Sequence, residues 1–398
     1  MSSYQTAIEV ALLVFPLLAG VFTLPYIIYQ YRKYGSISGL RSLIIYSFIL
    51  YLTTIYFLII LPLPPISKVA ELTTPTMQLI PFQFIVDFLK ETSFVLGNPH
   101  TYLTALTEPC FYEVAYNFLL LVPFGIYLRY YFKCSWWKTL LLSFGLSLFF
   151  ELTQLSGLYG IYPRPYRLFD VDDLMINSLG GMIGFWITPI ITYFLPSKET
   201  LDEHAYQKGE KVSYFRRFFA CGMDWFFIGI GYLIIGAVSR TLQLDNLIHL
   251  SSWPSLFVYF GTILLYFVVQ PRLTKGQTLG KKLVKIKLTT ETGEVPKGYQ
   301  YLIRYILLYG ATLPAPFLCI ELLASISQFP FQIGALLGIL ALVLLLNFLA
   351  FIAQLTVFFI INNNILFYEV VSKTMNTSTI QRKVPIKEKE APKPDPAA

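Results

Sequence analysis

Long apolar runs constrain this chain more than any single residue does. Nine segments are apolar enough to hold helices, near 6–29, 42–62, 111–130, 137–158, 174–195, 216–239, 253–270, 300–320 and 332–361. Each offers roughly 20 residues, the length needed to cross about 30 Å of hydrocarbon. Lipid provides no partners for backbone N–H and C=O groups, so such runs fold as helices that bond internally. Composition agrees: 55% of the 398 residues are hydrophobic and only 13% are charged, where a soluble domain carries about 25% charged residues. The expected fold is all-α, a polytopic integral membrane bundle of about nine transmembrane helices. The first run lacks a basic leader and a small-residue cleavage site, so it reads as a retained helix. The last is long enough to tilt strongly or to break in two.

Basic residues give the orientation. Of the 30 Lys and Arg, 24 fall in alternate loops and the tail: Arg32, Lys33 and Arg41; Arg129, Lys133 and Lys138; Lys198 to Arg217; Arg272 to Lys297; and Lys373 onward. The other loops hold only Lys68, Lys90, Arg164, Arg167 and Arg240. The positive-inside rule then puts the N-terminus outside and the C-terminus inside. The net charge of +7 is thus topological. Membrane lipids are expected partners and nucleic acid is not. Cys110, Cys134, Cys221 and Cys319 form no CxxC or zinc spacing. A Cys110–Cys319 bridge is allowed by their expected places near outer helix ends, but spare membrane cysteines are usually inert. His100, His204 and His249 are scattered, so no metal site, cofactor or catalytic signature is expected.

The loop 63–110 carries Pro64, Pro65, Pro75 and Pro81, then the apolar stretch Met77–Leu89. That stretch is too short to span, and reads as an interfacial or re-entrant segment, or as a short helix capping the bundle. Farther on, Arg164, Arg167, Asp170, Asp172, Asp173 and Asn177 crowd the start of an apolar helix, and the preceding helix ends in Glu151-Leu-Thr-Gln154. Polar groups at the mouths of successive membrane helices are costly unless paired, hydrated or bound to something. Glu113 and Asn117 lie one turn apart on a third helix and share a face. Three helices thereby deliver polar groups to one level, on the outer side. Asp172 and Asp173 also suit a helix start, where carboxylates complement the dipole and cap free N–H groups. Glu113 and Glu151 need a partner such as Arg164 or Arg167. Gly180-Gly181-x-x-Gly184 permits close helix approach.

The ordered set Glu113, Asn117, Pro123-Phe124-Gly125, Glu151-x-x-Gln154, Arg167-x-x-Asp170-x-Asp172-Asp173, Asn177 and the glycine run resembles the VanZ-like family over roughly residues 10–195. That family is named for a protein associated with resistance to the glycopeptide teicoplanin. The resemblance implies a bacterial cytoplasmic-membrane protein that affects the envelope's response to glycopeptide or lipoglycopeptide antibiotics. A glycopeptide or a cell-wall lipid precursor is the implied partner. The resemblance supplies no mechanism.

The second half carries Arg217-x-x-Ala220-x-x-x-Asp224, then Gln277-Thr-Leu-Gly-Lys-Lys-Leu-Val-Lys-Ile-Lys287, Arg304 and Leu366-Phe-Tyr-Glu-Val-Val-Ser-Lys-Thr374. This order resembles the RDD family over about 213–380, with Glu369 where the family has Asp. The resemblance implies a second site, of Arg217, Asp224, Arg304 and Glu369, at the inner face. Arg217 and Asp224 are two helical turns apart, which puts Asp224 about 10 Å deep. An acid at that depth is paired or functional, and Arg217 or Arg304 is the expected partner. Lys281, Lys282, Lys285 and Lys287 read as positive-inside charge or as a lure for anionic lipid.

The expected organisation is a VanZ-like domain at 1–195, a cytoplasmic linker at 196–213, an RDD domain at 214–380 and a disordered tail at 381–398, rich in Lys, Pro and Glu. Two other functions compete with an antibiotic response. Asp224, Glu369 and Glu151 suit an ion or proton-coupled transporter. Arg164 and Arg167 suit an enzyme or carrier that grips an anionic envelope lipid, with the carboxylates as acid/base groups or ligands of Mg²⁺ or Ca²⁺. The orientation is testable by Leu168→Cys. Impermeant maleimide should label it in intact cells, and labelling only after lysis would reverse the topology.

Overall fold

The computed structural model describes residues 3–241, 254–361 and 365–381. His249 and all but the first residue of the expected tail lie outside these. Helices dominate, and six are long and apolar enough to cross a membrane: α1 (Ser3–Tyr34), α2 (Gly39–Ile60), α4 (Pro109–Tyr130), α6 (Val171–Ile191), α8 (Tyr214–Thr241) and α10 (Phe331–Ile361). A helix pair over Gly298–Thr312 and Ala315–Gln328, bent by 53°, brings the number to as many as seven among the described residues. The remaining two expected spans are helical but weaker candidates. One is α5 (Trp136–Leu155), whose Lys138, Glu151 and Gln154 lower its mean hydropathy. The other is assembled from Pro254–Thr262, a wider π-helical stretch Ile263–Val269 and a last turn Gln270–Leu273. Shorter helices used below are α3 (Gln83–Glu91), α7 (Lys198–Glu210), α9 (Gly298–Tyr305) and α11 (Phe367–Ser372).

The chain forms two compact units, one of Met1–Pro25 with Ser38–Asp202, the other of Tyr26–Ile37 with the residues from Glu203 onward. In the first, α6 packs along α4 with α5 beside it. Small residues make this possible. A Cβ added at Gly125 would overlap the Gly181 carbonyl oxygen, one at Gly180 that of Phe118, and one at Gly184 that of Val122. The glycine run therefore serves backbone-to-backbone contact, the packing that lipid favours. Arg129 ties the two helices again, donating to the Phe185 carbonyl at 2.7 Å with its guanidinium over the Phe185 ring. Against these, α2 contributes Ile55 to a core with Leu121, Phe124, Leu128 and Phe150. Arg41, 2% exposed at the start of α2, pairs with Asp202 of α7.

The stretch Met77–Leu89 divides into two elements. Met77–Gln78 is a short strand, β1, paired in parallel with β2 (Phe169–Asp170). After it comes α3, which has no buried residue. In the second unit Phe267, Tyr301, Tyr305 and Tyr309 form an aromatic core with Ile228 and Ile263. Below it β3 (Ile286–Thr290) pairs antiparallel with β4 (Thr374–Ser378), Ile286 facing Ser378 and Thr290 facing Thr374. Every second residue of Val284-Lys-Ile-Lys-Leu288 is fully buried, so the alternation of apolar residues and lysines in the sequence is the period of a strand. All four cysteines are free.

The glycine contacts yield a paired test. Gly184→Ala should destabilise the detergent-solubilised protein by about 1–3 kcal/mol, as overpacking does. A Cβ on Gly145 would meet nothing within 4 Å among the described residues, so Gly145→Ala should be neutral or stabilising by up to ~1 kcal/mol. Thermal unfolding of the two variants reads the difference.

Candidate functional site

The polar residues of the first unit divide into a buried network and a set of loop clamps. At the centre of the network is Glu151, 4% exposed on α5, whose Oε2 accepts the Asp170 backbone N–H at 3.0 Å. Asp170 caps α6, its Oδ1 accepting the Asp172 N–H at 2.8 Å. One turn into α6, Asp173 accepts from Asn117 Nδ2 of α4 at 2.5 Å. The next turn presents Asn177, whose amide donates to Ser147 Oγ at 2.9 Å, and Ser147 in turn donates to the Asp173 carbonyl at 3.3 Å. Three helices thus converge through Asn117, Ser147, Glu151, Asp173 and Asn177. No sequence motif marks Ser147; its one signal is its place one turn before Glu151 on the same face. Burial pushes the Asp170 carboxyl above its usual range, the Asp172 N–H opposing it and the Asp172 charge adding to it.

Other expected members face elsewhere. Asp172, 2% exposed, accepts the backbone N–H groups of Phe82 and Phe84 at 2.6 and 2.9 Å. It holds the start of α3, not the start of its own helix. Gln154 donates to the Ile59 carbonyl on α2 at 3.1 Å. Arg164 and Arg167 donate to the carbonyls of Thr74 and Leu61, at 2.5 and 3.2 Å. Neither arginine makes an ion pair among the described residues, so the expected Arg–Glu151 and Arg–Glu113 pairs are replaced by clamps on the loop 61–76. A guanidinium can bond carbonyls as readily as carboxylates, and this loop supplies them. Glu113 is exposed, one turn before Asn117. Among the described residues no group of three or more His, Cys, Asp or Glu is arranged to hold a metal ion.

The second unit is organised round Glu369 at the start of α11. Its Oε1 accepts from Arg304 at 2.8 Å and from Asn376 at 2.8 Å; its Oε2 accepts from Arg217 at 3.0 Å and from the Leu366 N–H at 3.1 Å. Arg304 bonds Thr374 Oγ1 as well, at 2.8 Å, and its guanidinium lies 4.9 Å from the centre of the Tyr368 ring. Burial raises the carboxyl of Glu369, but Arg304 and then Arg217 outweigh it and hold the group below its ordinary range. Both arginines are therefore taken by Glu369. Among the described residues Asp224 binds no arginine: it accepts from Thr278 Oγ1 at 2.6 Å, the Gly280 N–H at 2.6 Å and Tyr266 OH at 2.8 Å. The expected Asp224–Arg lock is corrected to a cap on the short helix Leu279–Leu283, whose free N–H groups attract a carboxylate.

Residues 48–192 match the VanZ/LLP1 family model, and residues 211–366 match that of the RDD family. The chain is a fusion of a VanZ-like domain and an RDD domain. The network from Asn117 to Asn177 lies within the VanZ-like match, and Arg217, Asp224 and Arg304 lie within the RDD match, with Glu369 three residues past its end. Both families are those of bacterial membrane proteins, in keeping with the several apolar helices. No curated protein and no solved structure matches the chain.

The RDD domain holds one more buried charge, on a residue that counts as a loop cation in the sequence. Arg216 is 0% exposed and donates to the carbonyls of Val284, Gly209 and Lys285 at 2.7–2.8 Å, and to Ser378 Oγ at 3.2 Å. It fastens α8 to the end of α7, to the turn before β3 and to β4, while Glu369 gathers Arg217 and Arg304. Glu369→Gln leaves those two guanidinium groups poorly paired and should cost about 3–5 kcal/mol. Because the folded carboxyl titrates below the unfolded one, its stabilisation is present above the unfolded value of about 4.3 and is lost as pH falls through the folded value. Thermal unfolding between neutral and acid pH should therefore show a loss in the wild type that the Gln variant lacks.

Proposed function

We propose that this fusion protein acts in the bacterial cytoplasmic membrane to alter the envelope's response to glycopeptide or lipoglycopeptide antibiotics. The acting site is the polar network of the VanZ-like domain, on the outer face, with a glycopeptide or a cell-wall lipid precursor as its partner. One observation carries this reading. Glu151, Asp173, Asn117 and Asn177 are drawn to one level by three helices of the matched domain, and no Lys or Arg pairs with the two acids among the described residues. Glu151 is buried and Asp173 half-buried, and acids withdrawn from water without an ion pair are expensive in an apolar fold and mark function more often than architecture. Among the described residues the buried Asn177 Oδ1 also has no hydrogen-bond donor, which leaves the network with acceptor capacity to spare.

The transporter reading gains nothing from the RDD domain. Each oxygen of Asp224 and Glu369 already accepts at least one hydrogen bond from the chain, and these bonds hold helix starts and strands in place. The lipid-carrier reading is weaker, since Arg164 and Arg167 each give a bond to a loop carbonyl and hold that loop in place.

Expression in a glycopeptide-sensitive Gram-positive host tests the proposal. The wild type should raise teicoplanin tolerance. Glu151→Gln and Asn177→Leu should reach the membrane at normal levels and lose that gain. Tolerance retained by both variants would remove the network from the mechanism, and no gain from the wild type would remove the antibiotic role itself.

A further inference from the structure

The RDD domain has a groove of about 760 Å³ that neither polar cluster uses, lined by Leu264, Val268, Arg272, Val295, Lys297 and Leu302 among others. We propose that it binds one anionic phospholipid, with the phosphate between Arg272 and Lys297 and an acyl chain along the apolar wall. The groove lies where two apolar helical runs meet. Arg272 sits in the last turn, Gln270–Leu273, of one apolar helical run, and Lys297 immediately precedes α9, which opens the next. Cations at the ends of apolar helices stand at headgroup depth. The wall beneath them is apolar, and Leu264, Val295 and Leu302 in it are exposed.

Its polar end is shaped for a phosphate. Arg272 lies across the first residue of α9, so that a Cβ on Gly298 would come 2.7 Å from Nη1. A side chain there would displace the guanidinium. The first-turn N–H groups of Gly298 and Tyr299 have no intrahelical acceptor, and a helix start favours an anion. Among the described residues neither Arg272 nor Lys297 is in an ion pair. Arg offers a fork of donors to phosphate oxygens and Lys a mobile point charge. Charge at one end and exposed hydrocarbon at the other complement an amphiphile better than a free ion or a neutral lipid.

Native mass spectrometry of the full-length protein in neutral detergent tests this, with dioctanoyl phosphatidylglycerol as the probe. The wild type should hold one tight adduct, and phosphatidylcholine should bind far more weakly. Arg272→Ala with Lys297→Ala should weaken the adduct by about tenfold or more, each interfacial cation contributing several-fold. Leu264→Trp, which fills the groove and keeps both charges, should weaken it too. Lys275→Ala with Lys282→Ala removes the same charge elsewhere and should leave binding unchanged. The proposal fails if the Arg272/Lys297 variant binds normally, or if the Lys275/Lys282 variant loses as much. It fails equally if phosphatidylcholine binds as tightly. Displacement of the lipid by inorganic phosphate would make this a free-phosphate site and also overturn it.

Discussion

A polar group drawn into an apolar helical fold has to find its bonding partners within the chain, because hydrocarbon offers none. Both domains are arranged by that requirement. In the VanZ-like domain the acids reach for backbone N–H groups at helix and strand ends. Glu151 takes that of Asp170, and Asp172 takes two at the start of α3. In the RDD domain Glu369 joins Arg217 to Arg304, while Asp224 takes hydroxyls and the Gly280 N–H. The outcome is the same in each. The places where the chain leaves helical geometry, such as β1–β2 and the turn before β3, are those where a buried side chain supplies the missing bond.

Close packing and polar contact depend on each other in the first domain. The glycines at 125, 180 and 184 let α4 and α6 touch through backbone, and Gly181 makes room for Ser143 of α5; that spacing lets Asn117 reach Asp173. A larger residue in the glycine run would push the helices apart and stretch an amide–carboxylate bond several turns away. Mutations in an inert-looking stripe can therefore silence a site they never touch.

Helix positions were legible in the sequence because a long apolar run has few ways to fold in lipid. The convergence of Asn117, Glu151, Asp173 and Asn177 was legible too, since all sit within a turn or two of helix ends on one side. Partner choice was not. Arg217, Arg304 and Asp224 share a helix face or a depth, yet whether an arginine binds Asp224 or Glu369 depends on α11, whose Glu369 lies 65 residues beyond Arg304 and 152 beyond Arg217. Arg216 and Arg41 looked like loop charges, and their burial follows from tertiary closure that no local pattern records. The strand at Ile286–Thr290 did have a signal, the alternation of apolar residues and lysines, but a count of cations hid it.

The end of α1 does not belong with its beginning. Tyr26–Ile37 packs with the RDD domain, where Tyr31 joins the core of Val212, Ala220, Val284 and Ile286. Gly35 lies against Arg216, and Gly209 against the Tyr34 carbonyl. The order of domains along the chain is thus not the order of pieces in the fold. A protease cutting in the linker would not release an intact second domain, because part of its core would stay on the other fragment. Covalent fusion here is more than tethering: the downstream domain borrows a segment of the upstream sequence, and a gene that encoded it alone would lack one wall of its core.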